Sequence, residues 1–276
     1  MITEKAYAKL NLTLSITGRL PDGYHSLETV MQTISLCDDV AVRKSDTVRV
    51  SCGALSGANN LAYKAARAFF DYTGINGGAD IAIQKRIPVC GGFGGGSADA
   101  AAVLRALDSL YGACLGEEGL CRIALTLGAD VPFLVEGGTA LCTGKGENMR
   151  RLICKTPLYY CVCAPAEGAS TARMFAESDK YSFYIRQSGA MADALQNGDP
   201  FAAARALHND FTDICGSLFP STVMCRAALM TCGALGVSLT GSGSGCFGIF
   251  ADEASAKNAE TALKNDFYAV FAQSVV

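Results

Sequence analysis

From Tyr7 to Thr17 the chain alternates: Leu10, Leu12, Leu14 and Ile16 share one face, with Asn11, Thr13 and Ser15 on the other, which predicts a strand. Gly18-Arg19-Leu20-Pro21-Asp22-Gly23 follows as a turn-rich loop. Val30–Leu36, Asp39–Arg43, Thr47–Cys52 and Ala79–Gln84 read as further strands. Between the last two a helix begins after Asn59-Asn60, either of which suits an N-cap. The period then changes. Ala100, Val103, Leu104, Leu107, Leu110 and Tyr111 recur on one helical face, and Gly112 stands at the C-terminal cap. A second helix over Glu117–Leu127 ends at Gly128. Pro132 biases Val131 toward an extended conformation and stops a helix there, so Phe133–Val135 and Thr139–Cys142 read as strands joined by Gly137-Gly138.

A domain boundary falls near Ile153–Thr156, separating residues 1–155 from 156–276. Beyond it come a strand at Leu158–Ala164 and helices near Ser170–Glu177, Tyr181–Asn197, Phe201–Leu207 and Pro220–Cys232. Strand Gly236–Thr240, the glycine loop Gly241-Ser242-Gly243-Ser244-Gly245, strand Cys246–Phe250 and helix Glu253–Lys264 complete the pattern. Strands and helices mix in a non-repeating order, which predicts an α+β fold rather than a doubly wound sheet. With no low-complexity linker, the two domains are expected to pack closely and leave a ligand cleft.

Composition narrows the classes. Half of the 276 residues are apolar and 18% are charged, enough for a sizeable core. A net charge of −3 without a basic run argues against a nucleic-acid partner. No apolar run reaches the length of a membrane span, and Met1-Ile2-Thr3-Glu4-Lys5 lacks a signal peptide's apolar core, so a cytoplasmic location without a membrane partner is expected. Thirteen cysteines at irregular spacing, with no Cys-x-x-Cys pair, read as reduced core thiols. With only His25 and His208 available, a zinc site has few candidate ligands.

Candidate chemistry centres on Pro88-Val89-Cys90-Gly91-Gly92-Phe93-Gly94-Gly95-Gly96-Ser97-Ala98-Asp99. A glycine loop opening a helix offers unpaired N–H groups and the positive end of the helix dipole, a site for phosphate. Three glycine motifs can be tested against it. The only Gly-Lys pair, Gly144-Lys145, is followed by Gly146 and has Thr139 where a Walker A loop needs its first glycine. The one Gly-x-Gly-x-x-Gly match, Gly243 to Gly248, runs into an apolar strand instead of the helix a dinucleotide needs. A protein-kinase loop would require His-Arg-Asp and Asp-Phe-Gly, and neither occurs.

What remains, Pro88 to Asp99, resembles the ATP-binding motif of the GHMP kinases. Ala8-Lys9-Leu10-Asn11-Leu12 with Pro21-Asp22-Gly23-Tyr24-His25, Gly128-Ala129-Asp130-Val131-Pro132-Phe133, and Thr240 to Gly245 resemble further motifs of that family, in order along nearly the whole chain. The Pro-Asp-Gly-Tyr-His block is similar to the branch that uses ATP to phosphorylate the 2-hydroxyl of 4-diphosphocytidyl-2-C-methyl-D-erythritol in the non-mevalonate route to isoprenoid precursors. The implied fold is the two-domain GHMP kinase α+β fold, with ATP and substrate in the interdomain cleft. The oligomeric state stays open.

The resemblance also implies roles. Asp130 is the candidate base, and Lys9 the cation that keeps it ionised and steers the hydroxyl. Taken by spacing alone, Asp130 reads as a turn cap and Lys9 as a solvated strand lysine. Pro88, Gly91, Gly92, Gly94, Gly95, Gly96 and Ser97 would form the ATP cradle, with the Ser97 hydroxyl near the phosphates or Mg²⁺. Asp99 offsets the helix dipole or serves the site. Asn60 and Lys85 match adenine-contacting positions, although Asn60 alone reads as a helix cap. Tyr24 would stack on cytosine, His25 would hydrogen-bond to it, Asn11 would hold the methylerythritol end, and Lys145 would approach phosphates. Near His208-Asn209-Asp210, Leu207 and His208 stand where a second aromatic wall is expected. Phe93 replaces the usual Leu or Met of the loop. The rivals are a GHMP kinase acting on homoserine or a mevalonate derivative, and a catalytically silent nucleotide-binding module. Tyr24-His25 argues against the first, and the pairing of Lys9 with Asp130 against the second.

Overall fold

The N-terminal alternation becomes β1 (Ile2–Arg19), followed by an equally long β2 (His25–Ser45) and the short β3 (Arg49–Ser51). This computed structural model describes residues 1–275. The chain continues through α1 (Leu61–Thr73), β4 (Gly78–Gln84), α2 (Gly95–Tyr111), α3 (Gly116–Leu125), α4 (Asp130–Glu136), β5 (Thr139–Gly144), β6 (Asn148–Arg151) and β7 (Tyr159–Ala164). Then come α5 (Thr171–Ser178), α6 (Ser188–Asn197), α7 (Pro200–Arg205), β8 (His208–Asn209), α8 (Thr212–Leu218), α9 (Pro220–Thr231), β9 (Gly236–Leu239), β10 (Cys246–Phe250), α10 (Glu253–Leu263) and β11 (Tyr268–Gln273). The class is α+β, as the order of predicted elements implied.

Two compact units share these elements. The first contains residues 1–8, 37–87 and 94–137, and the second 9–36, 88–93 and the described residues from 138 onward. The chain thus passes between units several times rather than dividing once near residue 155. In the first unit β4 pairs antiparallel with the C-terminal half of β2, from Asp39↔Gln84 to Ser45↔Gly78, and β3 runs parallel to β4. α1 packs on α2, with α3 and α4 beside them, burying Phe69, Val103, Leu104, Leu107, Ile123 and Phe133. In the second unit β5 pairs antiparallel with Leu27–Gln32 of β2, and β8 pairs parallel with β1 at Thr13↔His208. A separate antiparallel sheet, β11-β7-β10-β9, carries α9 and α10. Its core holds Cys161, Cys163, Cys215, Cys225 and Cys246 among Leu14, Met174, Phe211, Leu239 and Phe250. Burial pushes the Cys161 thiol up to about 12, so these thiols act as small apolar side chains.

Three local differences from the sequence reading have physical causes. The expected strand at Phe133–Val135 is helical, because Pro132 lies in the first turn of α4, where its missing N–H costs nothing. The expected break between Leu36 and Asp39 is absent. The Asp38 carboxylate is buried against Lys85 and the backbone of Arg86 and Ile87, so β2 continues through it. The helix expected from Tyr181 begins only at Ser188, and β1 engages the preceding segment: Ser15 Oγ donates to Ile185 O, and the Arg186 side chain donates through Nη2 to Ile16 O. No single helix among the described residues is long and apolar enough to cross a membrane. The bent pair α8–α9 passes that test on length and composition, yet buries Ile214, Cys215, Cys225 and Leu229 in the second unit's core.

Candidate active site

In the second unit, two glycine segments far apart in sequence are stitched together. Gly245 N donates to Gly91 O at 3.1 Å, and Thr240 Oγ1 donates to Gly92 O at 3.3 Å. The approach requires bare backbone: a Cβ on Gly92, whose φ is +78°, would lie 2.1 Å from Thr240 O. Phe93, buried, lays its ring over this seam, and a Cβ on Gly245 would meet it at 2.4 Å. The Phe in place of Leu or Met is therefore a packing residue that itself demands glycine opposite.

Lys9 and Asn11, on β1, join the same seam. Lys9 is 2% exposed, and its Nζ donates to Asn11 Oδ1 at 2.5 Å and to Gly92 O at 2.7 Å. An ammonium this deep is tolerated only where strong acceptors replace its water. Asn11 Oδ1 also accepts Gly241 N at 2.9 Å, while its Nδ2 donates to Thr29 Oγ1 at 2.8 Å. Asn209 supports the second loop from behind, donating to Leu239 O and Gly241 O. Lys9, far from being a solvated strand lysine, is built into the loop it would serve.

The first unit holds the downstream part of the glycine loop. Gly94, at φ +74°, caps α2, and Gly95, Gly96 and Ser97 form its first turn. Helical geometry leaves their N–H groups without intrahelical acceptors. Asp99, one turn in, is buried and accepts Lys85 Nζ at 2.8 Å, while Asp38 takes the same ammonium at 2.5 Å. Burial raises the Asp99 carboxyl to about 7, outweighing Lys85's pull in the opposite direction. Burial works to lower Lys85, but the two carboxylates prevail and its pKa is raised. Asn60 caps α1, accepting Ala62 N at 2.9 Å and donating to Leu55 O at 3.0 Å. Asp130, half-buried, is the first residue of α4.

The sequence model described as GHMP kinases N terminal domain matches residues 60–138, and the one described as GHMP kinases C terminal matches residues 191–269. A 4-diphosphocytidyl-2-C-methyl-D-erythritol kinase of Desulfitobacterium hafniense (strain Y51) is 42% identical across 91% of this chain and 88% of its own length. One from Geobacter metallireducens is 37% identical across 100% and 99%. The chain belongs to the 4-diphosphocytidyl-2-C-methyl-D-erythritol kinase family of GHMP kinases. A crystal structure of 4-(cytidine 5'-diphospho)-2C-methyl-D-erythritol kinase aligns over 100% of both chains with a TM-score of 0.84 at 33% identity. A homoserine kinase from Cytophaga hutchinsonii, 19% identical over 99% and 95% of the two chains, has a TM-score of 0.74 and shares the fold.

In this GHMP kinase the Pro-Asp-Gly-Tyr-His block forms a surface group within the second unit. Tyr24 is 63% exposed, and Lys145 Nζ sits 4.2 Å from its ring centroid while pairing with Asp22 at 2.6 Å. That hydrogen bond lowers the Asp22 pKa and raises that of Lys145. His25 is anchored differently. Its ring stacks on Phe175 with centroids 5.0 Å apart, and Nε2 lies 2.8 Å from Asp179 Oδ1. A carboxylate only accepts, so Nε2 carries a proton and donates it to Asp179. Asp22, Phe175, Asp179, Thr240 and Asn209 were not singled out from sequence. Each acts through a partner many residues away; Asp22, Thr240 and Asn209 lay inside quoted motif blocks, whereas Phe175 and Asp179 carried no local signal. Pro88 is half-buried at the start of the loop. No group of three or more His, Cys, Asp or Glu among the described residues is placed to hold a metal ion.

Proposed function

We propose that the protein transfers the γ-phosphoryl group of ATP to the 2-hydroxyl of 4-diphosphocytidyl-2-C-methyl-D-erythritol, the compound named in its relatives' activity. The observation that carries the reading is Lys9. Its buried ammonium is bonded to the carbonyl of Gly92, so a cation is locked to the glycine loop that would hold the phosphates. Phosphoryl transfer asks the protein mainly to position its reactants and to stabilise charge.

The N–H groups of Gly95, Gly96 and Ser97 receive the phosphate oxygens at the head of α2, with Gly91, Gly92 and Gly94 shaping the approach. Lys9 opposes the charge that develops on the transferred group and orients the acceptor hydroxyl. Asp130 takes the hydroxyl proton as the new O–P bond forms and the bond to the β-phosphate oxygen breaks, releasing ADP. The Ser97 hydroxyl, half-exposed in the first turn, suits Mg²⁺ brought in on ATP, because that ion keeps phosphate and water ligands and needs few from protein. When bound, Mg²⁺ neutralises part of the phosphate charge.

Tyr24 offers an exposed ring face for the cytosine, and stacking needs no more than a π-face. His25 hydrogen-bonds to that base, and Lys145 meets the diphosphate. Asn11 acts on the methylerythritol end chiefly by holding Lys9. The test is ATP turnover with the cytidyl substrate, homoserine and mevalonate in parallel, with Asp130→Asn alongside. Turnover confined to the cytidyl substrate and a drop in kcat of at least about a hundredfold in Asp130→Asn are expected. Equal rates on homoserine would overturn the substrate, and full activity in Asp130→Asn would overturn the base.

A further inference from the structure

The glycine loop has little structure of its own. Between Ile87 and the head of α2 the backbone takes positive φ at Cys90, Gly92 and Gly94, and no regular ladder fixes it. Such a segment presents its N–H groups accurately only if its ends are held. Within the first unit both ends converge on one ammonium. Upstream, Asp38 Oδ1 accepts Arg86 N at 2.5 Å and Ile87 N at 2.9 Å, pinning the residues just before Pro88. Asp38 Oδ2 takes Lys85 Nζ at 2.5 Å. Downstream, the same Nζ bonds Asp99 on the first turns of α2 at 2.8 Å. The ammonium also lies against the helix head, where a Cβ on Gly95 would be 3.1 Å from it.

We propose that Lys85 is a positioning residue for the phosphate loop, tying the strand before it to the helix after it through Asp38 and Asp99. This rests on the reading that the loop holds ATP. The side chains of Asp38 and Asp99 are 0% and 3% exposed, so without Lys85 no cation bridges these two buried acids and the strand before the loop is no longer tied to the helix after it. The helix head then shifts relative to Arg86 and Ile87. Asp99 Oδ1 has no hydrogen-bond partner among the described residues, so the carboxylate is held through its other oxygen, which accepts Lys85 Nζ. A direct contact between Lys85 and the nucleotide base makes a different demand, since it needs Lys85 but not Asp99.

A double-mutant cycle separates the two. Lys85→Met and Asp99→Ala are made singly and together, the double variant removing the cation and its partner on α2 at once. Each variant is expected to raise KM for ATP about tenfold or more, because small misplacements of a positioning group are costly. KM for the cytidyl substrate stays within twofold. The double variant is no worse than the worse single, since both cut one tie. Amide exchange over residues 88–97 in the nucleotide-free double variant is expected to be faster than in the wild type. An ATP KM within twofold of wild type in Asp99→Ala would overturn the proposal, as would full additivity in the double variant or unchanged exchange over 88–97. Wild-type protein that turned over no ATP would instead bring down the functional reading itself, on a measurement in which Lys85 is untouched.

Discussion

Gly92→Ala tests the seam between the two glycine loops. The added Cβ would stand 2.1 Å from Thr240 O, 3.0 Å from Thr240 C and 3.3 Å from Gly243 N, all backbone atoms. No rotamer relieves such a clash, so the loops must separate by about 1 Å to reach ordinary contact. That movement stretches the 3.1 Å bond from Gly245 N to Gly91 O and the 2.7 Å bond from Lys9 Nζ to Gly92 O beyond useful length. The φ of +78° adds about 1 kcal/mol for any residue with a Cβ. Overpacking in a buried seam costs about 1–3 kcal/mol, so the total loss is about 2–4 kcal/mol. A protein of ordinary stability survives that loss and can be assayed. Urea denaturation measures the stability change. Steady-state kinetics should show KM for ATP raised and kcat lowered together, because Lys9 moves with the loop. A stability within 0.5 kcal/mol of wild type together with an ATP KM within twofold would refute the close approach.

Gly96→Ala has the opposite signature. Nothing lies within 4 Å of its Cβ position in the first turn of α2, so stability rises by about 0.5–1 kcal/mol on helix propensity while KM for ATP worsens as the methyl enters phosphate space. An unchanged KM would remove Gly96 from the cradle. Asp99 sets a pH dependence. Its folded pKa of about 7 stands above the ordinary carboxyl value of 3.8, so the native state holds a proton that the unfolded chain has released, and stability falls as pH rises from about 4 to about 7. The decline from this group is at most roughly 4 kcal/mol, and Asp99→Asn should flatten it in urea titrations at pH 5 and 7.5. The lowered carboxyls Asp22, Asp39 and Asp80 act below that window, gaining stability as pH rises toward 4. Asp179→Asn should loosen the His25 ring and raise KM for the cytidyl substrate several-fold with KM for ATP unchanged, and equal shifts in both would argue against a base-recognition role.

Local chemistry carried much of this to the surface of the sequence. The period-2 run of β1 and the glycines opening α2 are strong signals because their causes, side-chain alternation and backbone freedom, operate within a dozen residues. Asp38 shows where such reasoning stops. Beside Cys37 and Asp39 it looks like a strand break, and only Lys85, 47 positions on, makes it a buried hub. Pro132 was a matter of phase: the same residue that ends a helix in its interior opens one in its first turn. His25 was legible as a recognition residue, but its orientation comes from Phe175 and Asp179, and no local pattern announces a ring stacked across 150 positions.

The same contrast explains how Lys9 acts. A strand lysine at the surface is a mobile charge worth little to a transition state, since water screens it and its side chain must be ordered at each turnover. Burial reverses both terms, but only if acceptors replace the lost water. In this chain Asn11 and the carbonyl of Gly92 do so, and Asn11 in turn bonds Gly241 of the second loop. The bonds that make the buried ammonium affordable are therefore the bonds that hold both glycine loops to β1. Position of the cation and shape of the phosphate loop are one structural variable, and the glycines at 92 and 245 are required because β1, the first loop and the second meet there with no room for a side chain.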